Sequence, residues 1–214
     1  MDNKLYIIAE IGNNHQGSLK HALKLIKAAK DAGASAVKTQ KRDNKNLYTK
    51  SFFNEKYNNP NSFGETYGLH REKLELKKND YKEMIDYAKE LKIDFFATPF
   101  DLYSLEFLEQ FNLPCYKIAS ADITNDILQT EIAKTKKEIF LSTGGATLDD
   151  VKRAKSNIFK HNENLSILQC TASYPVSSNN MNLNVILTFA KHFPGLRLGL
   201  SDHENGIDAG PIAY

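Results

Sequence analysis

No stretch of the 214 residues approaches the roughly 20 consecutive apolar positions that a bilayer crossing needs. The opening Met1-Asp2-Asn3-Lys4 passes directly into a strand-like run, which argues against a cleaved leader. Cysteine is scarce. Cys115 and Cys170 both fall inside apolar runs, so a disulfide framework is excluded and the pair reads as reduced core thiols of a cytoplasmic protein. Charge of one sign is lacking as well. Lys plus Arg total 28 against 26 Asp plus Glu, a net charge of +2, which provides no broad field for nucleic acid or an anionic membrane but remains compatible with a small anionic ligand. Repeats and low-complexity tracts are missing apart from an Asn-rich stretch at 57–62, which reads as a cluster of turns.

What is present is enough apolar sequence for a core. With 41% hydrophobic and 25% charged residues, a single domain is the expectation, since α/β barrels exceed this length without dividing. Strand-like runs occur at 5–11, 36–40, 94–98, 115–120, 138–142, 165–171 and 197–201. Between most of them lie helix-period segments at 19–32, 81–91, 102–111, 127–135, 148–159 and 185–193, with Ser18 and Asp101 placed to cap two of them and Gly33 just past the end of the first. This alternation predicts a parallel α/β sheet of the TIM (β/α)8 type with about seven β/α units present. The segment 41–79 is too long for an ordinary connection and predicts a functional excursion.

Each strand delivers a polar group to its C-terminal end, the end that carries the active site in such barrels: Glu10, Lys38 with Gln40, Thr98, Lys117 with Ser120, Ser142-Thr143, Cys170-Thr171, and Ser201-Asp202-His203. Lys38 and Gln40 are two apart and share a face, while Val37 and Thr39 take the other. A lysine inside an apolar run, as Lys38 and Lys117 both are, needs an anion. Either each pairs with an interior carboxylate such as Glu10, or together they receive a ligand with two anionic groups. Ser142-Thr143-Gly144-Gly145 could present backbone N–H groups to that ligand, or could be only a strand-to-helix turn. His203 could ligate a metal, or could be a hydrogen-bonded loop histidine.

Several motifs occur in an order that resembles the sialic acid synthase family. They are Ala9-Glu10-Ile11-Gly12 with Asn14-His15-Gln16-Gly17, Ala34-Ser35-Ala36-Val37-Lys38-Thr39-Gln40, Gly64-Glu65-Thr66-Tyr67-Gly68-Leu69-His70-Arg71, Lys117-Ile118-Ala119-Ser120-Ala121-Asp122, Leu141-Ser142-Thr143-Gly144, Gln169-Cys170-Thr171-Ala172-Ser173-Tyr174-Pro175 and Gly199-Leu200-Ser201-Asp202-His203. The resemblance implies condensation of phosphoenolpyruvate with N-acetylmannosamine, its 6-phosphate or a related N-acylated mannosamine-type sugar. The products would be a nine-carbon 3-deoxy ulosonic acid and phosphate. A divalent metal, Mn²⁺ or Mg²⁺, would polarise the open-chain aldehyde. By the same resemblance Lys38, Thr98, Lys117, Ser120, Ser142 and Ser201 hold phosphoenolpyruvate, Gln40, Asp122 and Tyr174 face the sugar, His203 is a metal ligand, and Glu10 handles a proton or orients water.

The sequence departs from that family at Ala172, where many members carry Asn, and at Asp122, where some carry Glu. The resemblance also implies an eighth strand, a second metal-binding histidine, a C-terminal antifreeze-like domain and a homodimer in the full-length protein. None of that further sequence is present in the 214 residues, so the expectation is a single incomplete barrel domain whose first and seventh strands would be edges. Two other readings use the same residues: a Schiff-base aldolase with Lys117 as nucleophile, and an inactive barrel that only binds anionic metabolites or a partner.

Overall fold

The computed structural model describes residues 5–214; the lead-in Met1-Asp2-Asn3-Lys4 lies outside the described residues. The chain forms two compact units, Met1–Pro114 and Cys115–Tyr214.

In the first unit, β1 (Ile8–Glu10), α1 (Leu19–Asp31) and β2 (Ala36–Lys41) lead into the long excursion. The excursion carries α2 (Asn44–Leu47), α3 (Lys50–Phe53) and α4 (Tyr67–Leu74), and α5 (Lys78–Glu90), β3 (Asp94–Pro99) and α6 (Leu102–Glu109) follow it. β2 pairs in parallel with both neighbours, placing Glu10 opposite Lys38 and Gln40 opposite Thr98. α1 begins where the Ser18 side chain accepts the His21 N–H, and it buries Ala22, Ile26 and Ala29, one face at three- and four-residue spacing. α6 begins on the Asp101 carboxylate, which accepts the Ser104 N–H at 2.7 Å, as expected of a cap. Tyr81 of α5 is fully buried against the rings of Phe95, Phe107 and Phe111, and its hydroxyl donates to the Gln40 carbonyl at 2.9 Å. The core of this unit therefore braces β2 from behind.

β1 is shorter than the apolar run at 5–11 suggests. Leu5, Tyr6 and Ile7 are exposed and lie outside the ladder, because pairing to β2 begins only at Ile8↔Ala36. The excursion is not a bare loop. Thr66 and Thr49 cap α4 and α3, and the rings of Tyr48, Phe52, Tyr57 and Tyr67 pack edge to face or tilted with centroids 4.7–5.5 Å apart, an arrangement that holds short helices too small to be stable alone.

The second unit comprises β4 (Cys115–Ile118), α7 (Asp126–Lys134), β5 (Glu138–Ser142), α8 (Leu148–Phe159), β6 (Leu165–Cys170), α9 (Val185–His192), β7 (Arg197–Ser201) and α10 (Ala209–Ala213). β4 to β7 pair in sequence and in parallel. Each residue of β6 is buried, as a strand covered on both faces requires. Ser120–Asp122 leave the expected fourth strand as a single 3₁₀ turn. Cys115 and Cys170 are buried and form no disulfide. Seven strands, parallel within their units and separated by helices, constitute the incomplete (β/α)-barrel type of fold predicted by the alternation.

Candidate functional site

Parallel strands present their C-terminal ends on one side, so in each unit the polar residues named from the sequence fall at the same end of the sheet. In the first unit three strand ends meet around a single ammonium. Lys38 is 4% exposed, forms an ion pair with Glu10 and donates to Thr98 Oγ1 at 2.9 Å. Glu10 is thus the carboxylate paired with this lysine. Glu10 itself is 44% exposed, and its Oε1 accepts the Gly12 N–H at 2.7 Å. Gln40 is held by Asn13, whose amide donates to Gln40 Oε1 at 3.2 Å. A Cβ on Gly12 would lie 2.5 Å from Glu10 Oε1 and 2.6 Å from Gln40 Cγ, so only glycine leaves both side chains where they are. His15 is buried beside this group and accepts the Gly17 N–H on Nδ1 at 3.1 Å. Burial pushes its imidazole below the usual value, an effect partly offset by the Glu10 charge.

In the second unit Ser120, Gly144, Cys170 and His203 gather. Ser120 Oγ accepts the Gly144 N–H at 2.9 Å. A Cβ on Gly144 would come within 3.0 Å of Cys170 Sγ and of Ser120 Oγ, and within 3.1 Å of the Ala172 Cβ. Ala172, the departure from the family pattern, therefore lies against this turn. His203 Nδ1 is 3.1 Å from the Thr171 carbonyl and 3.9 Å from Cys170 Sγ, and the Tyr174 ring lies 4.0 Å from the imidazole, centroid to centroid. The Cys170 hydrogen bond, opposed by burial and helped by the Thr171 carbonyl, raises the His203 pKa. Burial is the largest influence on Cys170 and pushes it up, but the His203 and Ser120 hydrogen bonds and the His203 and Lys117 charges bring the thiol down overall. Lys117, in mid-β4, thus acts electrostatically on both.

The other named residues stand as follows. Ser142 Oγ, at the end of β5, is buried and meets no hydrogen-bond partner among the described residues. Asp122 is buried, with Oδ1 accepting from the Asn125 amide at 3.2 Å and its carbonyl from Gln129 at 3.0 Å. Ser201 ends β7 opposite Cys170, and Tyr174 is 76% exposed. Among the described residues no group of three His, Cys, Asp or Glu is close enough to hold a metal ion. His203 is one imidazole donor, which does not complete a coordination set. No helix among the described residues is long and apolar enough to cross a membrane.

Sequence reasoning did not single out Gly12 and Asn13, which position Glu10 and Gln40, nor Arg42 and Asn44, buried polar residues of the excursion, nor Arg71, whose Nε alone is buried. For Arg42 a signal existed. It continues the two-residue spacing of Lys38 and Gln40.

The sequence pattern of the NeuB family matches residues 25–214. N-acetylneuraminate-9-phosphate synthase of Mus musculus is 37% identical over 202 residues, covering 94% of this chain and 56% of the relative. N,N'-diacetyllegionaminic acid synthase of Campylobacter jejuni is 38% identical over 208 residues, covering 95% of this chain and 62% of the relative. The crystal structure of N-acetylneuraminic acid synthetase from Leptospira borgpetersenii, in complex with citrate, superposes with a TM-score of 0.86 at 31% identity, covering 99% of this chain and 69% of that one. The chain spans somewhat over half the length of these curated relatives. With a family match across most of its length, the chain belongs to the NeuB family.

Proposed function

We propose that the protein is a phosphoenolpyruvate-dependent nonulosonic acid synthase, condensing phosphoenolpyruvate with an N-acylated mannosamine-type sugar. The observation that carries this reading is the buried Lys38, held by Thr98 and by a carboxylate that is 44% exposed. An ammonium cannot stay buried unpaired. Glu10 has water to turn to, so the lysine can pass to a substrate oxyanion while Thr98 keeps it in place. The names of the relatives, synthases of sialic and legionaminic acids, support the product class.

In this reading, which rests on the family's motifs, Lys38, Thr98, Lys117, Ser120, Ser142 and Ser201 are the residues that bind phosphoenolpyruvate. Ser142 brings a buried hydroxyl that has no other partner among the described residues, and Ser120 is fixed by the Gly144 N–H before substrate arrives. Gln40, Asp122 and Tyr174 address the sugar. The alkene carbon supplies the electron pair of the new bond to the aldehyde carbon, and the aldehyde oxygen takes up a proton. Water adds its hydroxyl to the carbon bearing the phosphate ester, releases a proton, and the C–O bond to phosphate then breaks. Glu10, anchored by the Gly12 N–H and freed from Lys38, is placed to orient that water or take its proton. A divalent ion, Mn²⁺ or Mg²⁺, belongs to the reading and would polarise the aldehyde. The donors present among the described residues do not complete its site. A cytoplasmic, homodimeric full-length enzyme is part of the proposal.

The test is phosphate release from phosphoenolpyruvate, with N-acetylmannosamine or its 6-phosphate and Mn²⁺, by the parent and by Lys38→Met. Sugar-dependent release that Lys38→Met abolishes is expected. Release independent of every acylated mannosamine tried, or unaffected by Lys38→Met, refutes the proposal.

A further inference from the structure

Asn13, in the turn that follows β1, does more than hold Gln40 in place. Its φ of 63° lies in the left-handed region, which asparagine tolerates better than most residues that carry a side chain. The backbone around it is tied down. The Ile11 N–H donates to the Lys38 carbonyl at 2.9 Å, the Gly12 N–H to Glu10 Oε1 at 2.7 Å, and the Gln16 N–H to the Asn13 carbonyl at 2.9 Å. From this fixed turn the Asn13 amide donates to Gln40 Oε1 at 3.2 Å.

Gln40 is equally constrained. Its backbone pairs opposite Thr98 in the sheet, and its carbonyl accepts the Tyr81 hydroxyl at 2.9 Å. Its stem runs over Gly12, where a Cβ would come within 2.6 Å of Gln40 Cγ and 3.0 Å of Cδ. What the sheet and the glycine leave undecided is the last torsion. A primary amide has an acceptor end and a donor end, and rotation about its final bond exchanges them. Asn13 decides between the two. With Oε1 taken, Nε2 is the end that remains, and the Gln40 side chain makes no other hydrogen bond among the described residues. Asn13 and Gln40 are both half-buried, so the amide is within reach of a ligand while its bond to Asn13 is partly sheltered from water.

We propose that Asn13 is a positioning residue for substrate specificity, locking the Gln40 amide with its donor end outward so that β2 offers the acceptor sugar N–H groups and no acceptor. The ligand groups that fit follow from this. The carbonyl of an N-acyl group accepts and never donates, so it matches. The ammonium of an unacylated amino sugar only donates, so it is turned away. A hydroxyl satisfies either end and is not discriminated. Asn13 acts through Gln40 and touches no substrate itself. That Gln40 faces the sugar rests on the synthase reading above, whereas the orientation of its amide does not.

Asn13→Asp and Asn13→Gly separate this role from packing. Aspartate keeps the shape and tolerates the left-handed backbone, but it replaces the donor by an acceptor, which draws Nε2 inward and turns Oε1 out. Glycine keeps the backbone and deletes the amide, so Gln40 is free to present either end. Phosphate release is measured with phosphoenolpyruvate, Mn²⁺ and N-acetylmannosamine, an uncharged acceptor on which the new carboxylate exerts no ion–ion force. The KM for this sugar should rise by about 2- to 10-fold in Asn13→Gly, the range for one neutral hydrogen bond, and by about 10- to 100-fold in Asn13→Asp, where an acceptor faces the acyl carbonyl. The KM for phosphoenolpyruvate should not move in Asn13→Gly. The preference for N-acetylmannosamine over mannosamine should shrink in the same order. A packing role predicts the reverse order, because aspartate preserves the shape of asparagine and glycine does not. That reverse order overturns the proposal, as does an unchanged sugar KM or an Asn13→Gly loss shared equally by phosphoenolpyruvate. NMR supplies a readout that needs no turnover. In nitrogen-15-labelled protein the Gln40 side-chain amide pair, identified by its loss in Gln40→Met, should exchange with water more slowly in Asn13→Asp than in the parent, because Nε2 is then engaged. Equal or faster exchange overturns the proposal. If the parent releases no phosphate with any acylated mannosamine, the synthase reading fails, and the exchange rates still decide which end of the Gln40 amide Asn13 holds.

Discussion

Replacing Gly12 by alanine should disable the Lys38 cluster without touching any of its charged groups. The added methyl would sit 2.5 Å from Glu10 Oε1 and 2.6 Å from Gln40 Cγ, closer than real contacts permit, so one or both side chains must move. Glu10 is the easier to displace, since 44% of its side chain already reaches solvent, whereas Lys38 is 4% exposed and cannot follow it. Displacement breaks the 2.7 Å bond from the Gly12 N–H and strips Lys38 of its carboxylate, leaving Thr98 at 2.9 Å and a long contact to the Thr39 carbonyl at 3.4 Å. Breaking a buried pair costs about 3–5 kcal/mol. Partial solvent screening of Glu10 lowers the expectation to about 2–4 kcal/mol, against a total of about 5–15 kcal/mol for a domain. At a urea slope of about 2 kcal/mol per molar, the middle of the usual range, the midpoint falls by about 1–2 M. Urea unfolding of Gly12→Ala, Lys38→Met and the double variant measures this, because removing the lysine removes the stranded charge and the two losses should not add. Additive losses, or a Gly12→Ala midpoint equal to the parent's, would refute the account of the cluster.

Lys41→Met strands Glu75, whose side chain is 14% exposed, and should cost about 3–5 kcal/mol at neutral pH; Glu75→Leu in the same chain should recover most of it by urea titration. Burial already raises the Glu75 pKa, with Lys41 opposing, so in Lys41→Met the cost should shrink as acid protonates the carboxyl, and a cost independent of pH would contradict this. His15 has its folded pKa lowered below 6.5, by burial first, so its contribution is complete above the unfolded value and is lost as pH falls through the folded one. His15→Asn should flatten the acid side of the stability profile, and an imidazole titrating at or above 6.5 by NMR would contradict the sign. Borohydride reduction in the presence of pyruvate should leave Lys117 unmodified; a reduced adduct there would put the aldolase reading ahead.

The regular elements were legible because their signals are long. Six buried residues in β6 and the three- and four-residue spacing of α1 and α8 leave little choice of period. α2 and α3 have four residues each, too few for any period to show, and they owe their existence to ring packing among residues 48–67 that no local pattern announces. Lys38 stood out as a charge where the strand alternation demanded burial. Glu10 was visible as one candidate partner, and the structure pairs the two. Arg42 was harder to read, although it continues the spacing of Lys38 and Gln40. In sequence Lys41-Arg42 looks like a solvated charge pair at a strand end, and only the Phe100 ring and the helices of the excursion show that the second charge is buried.

Along β2 and just beyond it, compensation weakens outward. Lys38 has a carboxylate and a hydroxyl, Gln40 one amide contact from Asn13, and Arg42 an aromatic face and a neighbouring cation. A strand selected only for stability would show the reverse trend or carry apolar residues at all three positions, since each buried polar group costs more than the methylene surface it replaces. The side of β2 that the Val37 and Thr39 positions occupy is fully buried, and the Tyr81 hydroxyl ties the Gln40 carbonyl to α5, so the strand does not relax to relieve these groups. Rigid backbone with undercompensated side chains is the condition under which a ligand, rather than rearrangement of the protein, supplies the missing partners. A ligand at about a hundred times its dissociation constant then returns about 2.7 kcal/mol to the folded state, comparable to the cost of one stranded charge, so a bound ligand would offset a strand this polar.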